Sequence, residues 1–213
     1  MQIGLLTYKI RLFFLHNHQH WTFNYVIKRL YRITYNIFVP GLPWLPLTAI
    51  KYLKCKIKKN YKGIEFGSGN STFFFSKLCK ELVSYENNYL FYKEILKSKK
   101  KNIKLIYSKK YPSLIKNQKN NYYDFCLVDG LSRDLCIYNV LPKLKKKSFL
   151  IIDNINWYIP FISKSPYTAK NYLPNSKWEI IFKKLRKCRK YVFDDDTSCT
   201  MVILIYKKNK KYF

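Results

Sequence analysis

Glu65 stands two residues ahead of Gly67 in the stretch EFGSGNST, with Gly69 following after one serine. An apolar run precedes this stretch and an aromatic, helix-like segment follows it, so the glycines mark a strand-to-helix junction. At such a junction the helix offers unpaired amides and the positive end of its dipole. Two glycines remove side chains there and let a ligand come close to the backbone, while Ser71 or Thr72 can cap the helix. A tight structural turn needs the same glycines, and it is a second acid that separates the two readings. Glu86 closes the next apolar run, nineteen residues after Gly67. An acid at the tip of the neighbouring strand can accept both hydroxyls of a ribose. The glycine pair with Glu86 therefore points to a nucleoside site. The pyrophosphate of a dinucleotide would want a third glycine at position 72, where this chain has Thr72, and that argues against NAD. Two further acids, Asp129 in LVDG and Asp153 in LIIDN, end later apolar runs.

The elements that must position these residues follow a regular rhythm from residue 63. Strand GIEF, helix STFFFSKLCKE, strand LVSYE, helix NYLFYKEILKSK and strand IKLIYS come first, then strand YDFCLVDG, helix RDLCIYNVLPKLKKK and strand SFLIIDN. Strands alternating with helices of about a dozen residues predict right-handed crossovers and a mainly parallel sheet covered on both faces. After residue 155 the rhythm changes: WEIIFKKL and CTMVILIYKK read as two strands that pair as an antiparallel addition to one edge. Ahead of the domain, FNYVIKRLYRITYNIF places Phe23, Val26, Ile27, Leu30, Ile33 and Ile37 at helical spacing. Such a helix either packs on the main domain or serves as a peripheral membrane or partner helix. VPGLPWLP then breaks the chain, and LTAIKYLKCKIKK leads in as a short helix. The predicted organisation is a helical, aromatic and basic extension over 1–45 and one α/β domain over 46–213.

Composition bounds the partners. Of 213 residues, 41 are Lys or Arg and 12 are Asp or Glu, a net charge of +29, which favours an anionic partner such as nucleic acid, a membrane surface or a phosphorylated substrate. The abundance of Lys, Asn, Ile, Tyr and Phe is also what an adenine- and thymine-rich genome would favour. Cys55, Cys79, Cys126, Cys136, Cys188 and Cys199 form no CxxC pair and read as reduced core thiols. The N-terminal 21 residues are interrupted by Lys9 and Arg11 and lack a small-residue cleavage site, so they read as neither signal peptide nor membrane span, and a cytoplasmic location is expected. His16, His18 and His20 are the only histidines and read as a polar turn. Without a histidine base in the main domain, Ser-His-Asp or Cys-His hydrolase chemistry is excluded. The Asp194, Asp195 and Asp196 run reads as a solvated loop. Trp157, Tyr158, Phe161 and Tyr167, just after Asp153, serve either a substrate groove or packing.

The ordered series EFGSGNST, VSYENN, LVDG and LIIDN resembles class I S-adenosylmethionine-dependent methyltransferases, in particular a subgroup whose first motif is close to E-F-G-S-G-N-S-T. The resemblance covers about residues 45 to 208. It implies a three-layer, Rossmann-like α/β fold with a mainly parallel seven-stranded sheet ending in an antiparallel strand, here CTMVILIYKK. It implies that the acidic glycine-rich motif, Glu65, Gly67 and Gly69, surrounds the methionine part of S-adenosylmethionine and that Glu86 binds its ribose, with Phe66, Ser68, Asn70, Ser71, Thr72 and Asn87 as further cofactor-binding residues. Asp129 and Gly130 would stand near the methyl group and the substrate. Of the position after the third strand that contacts adenine in some members, IYSKK keeps only Ser108. Asp129, Asp153 and Asn154 resemble the metal ligands of catechol O-methyltransferase-like enzymes, yet the lysine those enzymes place three residues after the first aspartate is replaced by Ser132. Arg133 comes next, and an arginine does not act as a base near neutral pH. No metal site is therefore predicted, although such oxygen ligands would suit magnesium. The expected activity is methyl transfer to an oxygen or nitrogen of a small-molecule or glycan-like acceptor, with Asp129 or Asp153 as the catalytic group that orients or deprotonates it. The alternatives are an RNA-binding or RNA-modifying protein using the basic surface and a non-catalytic, membrane-peripheral subunit of the same fold.

Overall fold

The structure, a computed structural model, describes residues 22–39 and 41–205. The three histidines and the last residues of CTMVILIYKK lie outside them. Apolar runs become strands β1 (Lys62–Phe66), β2 (Glu81–Glu86), β3 (Ile103–Tyr107), β4 (Tyr123–Val128), β5 (Leu144–Asp153), β6 (Arg189–Asp194) and β7 (Cys199–Ile205). They form one sheet in the order β3-β2-β1-β4-β5-β7-β6. Parallel pairing joins β3, β2, β1, β4 and β5, and β7 runs antiparallel to both β5 and β6. The helices are α1 (Phe23–Phe38), α2 (Leu47–Lys56), α3 (Asn70–Leu78), α4 (Tyr89–Lys97), the single turn α5 (Tyr111–Leu114), α6 (Arg133–Val140) and α7 (Trp178–Lys184).

Side chains alternate across the strands, and each sheet face buries its own core. Ile64, Phe66, Cys126 and Val128 face a layer with Ile137 of α6 and Trp178 of α7. Phe125, Leu127 and Ile151 face the opposite layer with Leu53 of α2 and Phe75 of α3. The strand order reverses between β1 and β4, whose following helices lie on opposite faces, so their carboxyl ends define the crevice in which ligands of open sheets bind. Gly63 serves packing: a Cβ there would come within 2.2 Å of the Phe125 ring on the adjacent strand.

The structure corrects four local expectations. WEIIFKKL is helix α7, and the edge strand is RKYVFD. Trp178, Ile181 and Leu185 are buried at helical spacing while Ile180 is 48% exposed, so burial selects the 3.6-residue period over the alternation that suggests a strand. The helix beginning at Arg133 stops at Val140, because Pro142 cannot donate to a continuing helix, and Leu144–Lys147 already belong to β5. The N-cap position of α3 is Gly69, and of the two expected capping residues it is Thr72, within the first turn, whose hydroxyl accepts the Gly69 N–H, whereas Ser71 donates to Glu65. Of the cysteines, all are free, four are buried, Cys188 is half-buried and Cys55 is exposed. The Trp44–Leu45 stretch is already part of the fold, since Leu45 is fully buried in the core. No helix of the described residues is long and apolar enough to cross a membrane.

Candidate active site

The loop after β1 rests on a floor of hydroxyl groups. Glu65 is fully buried, and its carboxylate accepts from the hydroxyls of Ser71, Thr72 (2.6 Å) and Ser84 (2.7 Å). Burial pushes its pKa up to about 7, against the pull of those three donors. Ser68 Oγ meets Ser84 Oγ at 2.7 Å. Thr72 Oγ1 accepts the Gly69 N–H at 2.9 Å. Glu65 is thus spent on holding β1, β2 and α3 together, and it shapes the loop from below. Phe66 is likewise buried, its ring stacked on Tyr85 and Tyr111.

The two glycines of the loop differ in what they admit. Gly67 has φ +92°, and a Cβ there would lie 2.9 Å from Gly130 N and 3.0 Å from the Asp129 carbonyl carbon. It is glycine so that the loops after β1 and β4 can touch backbone to backbone. A Cβ on Gly69 would meet nothing within 4 Å; that side of the loop is open. Gly130 is constrained as Gly67 is, because a Cβ there would come 2.4 Å from Tyr111 Oη, whose hydroxyl donates to the Leu131 carbonyl at 3.0 Å.

Glu86 turns from the tip of β2 toward the same loop. Its Oε2 accepts from Ser68 N at 2.9 Å, and its Oε1 accepts from Asn87 N (2.9 Å) and Asn88 N (2.7 Å). A carboxylate oxygen has two lone pairs. Oε1 is filled, and Oε2 keeps one place, so Glu86 can accept one further hydrogen bond without giving up a backbone contact, where the sequence suggests two. Ser108 Oγ accepts from Lys110 N at 3.1 Å and is used within its own turn. Asn70 is exposed and Asn87 half-buried at the rim of the loop.

Across the crevice, Asp129 and Asp153 end β4 and β5 beside Arg133. The Arg133 guanidinium reaches Gly130 O (3.1 Å), Asp129 O (3.2 Å), Asp129 Oδ1 (2.9 Å), Asn154 Oδ1 (3.4 Å) and the Asp153 carbonyl, and lies 5.5 Å from the Tyr158 ring centre. Desolvation raises the pKa of Asp129, and Arg133 and a hydrogen bond from Asp153 hold it down. Asp153 is buried; desolvation and the Asp129 charge raise its pKa to about 8, although Thr200 Oγ1 donates to it at 2.6 Å. The two carboxyls are therefore not interchangeable. Asp153, its pKa raised to about 8, is the one that favours its proton near neutral pH, and half-exposed Asp129 is the one paired with the Arg133 guanidinium. Among the described residues no group of three or more His, Cys, Asp or Glu converges on a possible metal; Arg133 supplies the positive charge between these strand ends. No local pattern signals this role, because Asp129 follows β4 and Arg133 opens α6, and only the bend between them, with Ser132 in the left-handed conformation, brings the two together. Thr200 gave no signal, since it reaches Asp153 only through the β5–β7 register.

Beside α6 a cleft of about 600 Å³ opens, with Ser132, Leu135, Leu173 and Ile180 in its walls. Trp157 and Tyr167, 43% and 47% exposed, meet edge to face at 5.8 Å in the segment after β5, whereas Tyr158 stacks on buried Trp178 and belongs to the core. The acidic run is absorbed by structure: Asp194 accepts from the Ser163 and Ser165 hydroxyls, Asp195 from Thr197 N and Ser198 N, and Asp196 pairs with Lys28.

No protein-family model matches the chain, and no curated protein matches it in sequence. Solved structures do match in shape. A protein of Corynebacterium glutamicum aligns over 97% of this chain and 99% of its own at 9% identity, TM-score 0.56. A putative methyltransferase of Escherichia coli aligns over 79% and 89% at 12% identity, TM-score 0.54. A putative methyltransferase of Streptococcus mutans, solved in complex with SAH, aligns over 76% and 99% at 12% identity, TM-score 0.53. The chain has the three-layer, Rossmann-like methyltransferase fold.

Proposed function

We propose that the protein is an S-adenosylmethionine-dependent methyltransferase acting on an oxygen or nitrogen of a small-molecule or glycan-like acceptor. The observation that carries this reading is the open space over Gly69 with the Glu86 carboxylate on the neighbouring strand. An adenosyl group fits that chemistry: Gly69 leaves the backbone bare for it, and the free position on Glu86 Oε2 takes one ribose hydroxyl. When bound, S-adenosylmethionine supplies a methyl carbon activated by a positively charged sulfur. The chain's own part is to orient the acceptor and exclude water. Asp129 stands at the carboxyl end of β4 as the acceptor of the leaving proton, its carboxylate aimed by Arg133. Asp153 stays protonated behind it. The cleft beside Ser132 and, separately, the exposed rings of Trp157 and Tyr167 are the two surfaces whose apolar faces and polar edges suit a sugar or a flat hydroxylated molecule.

Calorimetry with S-adenosylhomocysteine tests this. The native protein is expected to bind, and Glu86→Ala to bind more weakly by about 1–3 kcal/mol, because it loses the ribose contact and frees the Ser68 amide. Absence of heat with the native protein would overturn the proposal.

A further inference from the structure

Helix α1 is docked the opposite way to a normal amphipathic helix. Its cationic side faces the protein: Arg32 is buried and donates to the Pro43 carbonyl at 2.8 Å. The guanidinium groups of Arg29 and Arg32 lie 4.8 and 5.9 Å from the Trp44 ring centre, and Lys28 pairs with Asp196. On that same side Arg32 Nη1 and Asn36 Oδ1 are buried without a hydrogen-bond partner among the described residues. Its apolar side faces outward. Phe23 is 83% exposed, Ile27 47%, Leu30 56%, Ile37 62% and Phe38 83%, and at 100° per residue they fall on one stripe about 100° wide. In water this arrangement is unfavourable on both sides, with polar groups left unsatisfied inside and apolar surface left wet outside. An apolar phase beyond the stripe reverses the second cost.

The charge of this part of the chain says what that phase adjoins. Residues 1–64 contain eleven Lys and Arg and no Asp or Glu, and Lys51, Lys54, Lys56, Lys58 and Lys59 at and beyond α2 are exposed. We infer that the outward stripe of α1 is a docking surface for an anionic lipid membrane, with Phe23, Ile27, Leu30, Ile37 and Phe38 entering the headgroup–acyl boundary and the exposed lysines of the following segment drawn to the anionic headgroups. A second copy of the chain would bring together two bodies of charge +29 each. The inference is independent of the catalytic proposal.

Flotation of the full chain with vesicles tests it. Vesicles of phosphatidylcholine with about 30% phosphatidylserine should carry about tenfold more protein at roughly 0.1 M salt than vesicles of phosphatidylcholine alone. Leu30→Gln with Ile37→Gln should reduce that binding about tenfold or more, with the circular dichroism spectrum and thermal midpoint unchanged. Four outcomes overturn the inference. These are no flotation, equal flotation of the native chain and the double variant, a drop in the variant's thermal midpoint with vesicle binding unaltered, and self-association that the variant disperses. Tight binding of a single-stranded RNA oligonucleotide by a protein that ignores vesicles assigns the basic surface to nucleic acid instead.

Discussion

A side chain added at position 67 and one added at position 69 are expected to act in different ways. At 67 the left-handed backbone and the 2.9 Å approach to Gly130 N act together, so Gly67→Ala should cost about 1–3 kcal/mol of stability and lower the thermal midpoint by several degrees. At 69 the backbone is extended and the added group meets open space, so Gly69→Leu should leave the midpoint within about a degree of the native value, and it should abolish S-adenosylhomocysteine binding. Melting curves and calorimetry on the two variants separate a structural glycine from a ligand-admitting one, which the bare spacing GSG could not do. Glu65 gives a second residue-scale expectation. Its pKa rises from an ordinary 4.5 to about 7 on folding, so the folded state holds a proton that the unfolded chain releases. Its contribution is fully present below pH 4.5 and is lost as the pH rises through about 7. Asp153, raised to about 8, acts in the same direction. The thermal midpoint should therefore fall between about pH 5 and pH 8, and Glu65→Gln should make that fall shallower. An unchanged slope would remove Glu65 as its source.

The strands and helices show why part of the fold was legible and part was not. Continuous apolar runs such as FCLV and FLII suit central strands of a sheet covered on both faces, and the ordered glycines and acids at their ends mark the carboxyl edge where the crevice lies. WEIIFKKL carries two periods at once: Trp178, Ile180 and Phe182 alternate like a strand, whereas Trp178, Ile181 and Leu185 repeat like a helix. Only tertiary burial decides between them. For α1 the periodicity marks an amphipathic helix, but which side meets the protein depends on Trp44, Pro43 and Asp196, whose positions no local pattern encodes. Pairing between β1 and β4 yields the element-scale prediction. Gly63→Ala should destabilise by about 1–3 kcal/mol through its clash with Phe125, and adding Phe125→Leu should recover part of that loss. Additive losses in urea titrations of the two single variants and the double variant would show that the contact is not the cause.

At the scale of the whole molecule, a charge of +29 repels itself. Raising sodium chloride from about 0.05 to about 0.5 M should therefore raise the thermal midpoint by screening; a midpoint that falls with salt would show the few ion pairs outweighing the lysine surplus. The order of the strands carries a consequence for how the chain is made. The last strand of the described residues lies inside the sheet, between β5 and β6. Until Cys199–Ile205 leaves the ribosome, the six residues Ser148–Asp153 have no neighbour on that side, and Asp196, which anchors α1 from 168 positions away, has not long emerged. A nascent chain halted before Cys199 would display a bare, apolar strand edge to any other chain nearby. Premature termination in this protein is thus expected to yield aggregates rather than a shortened native domain.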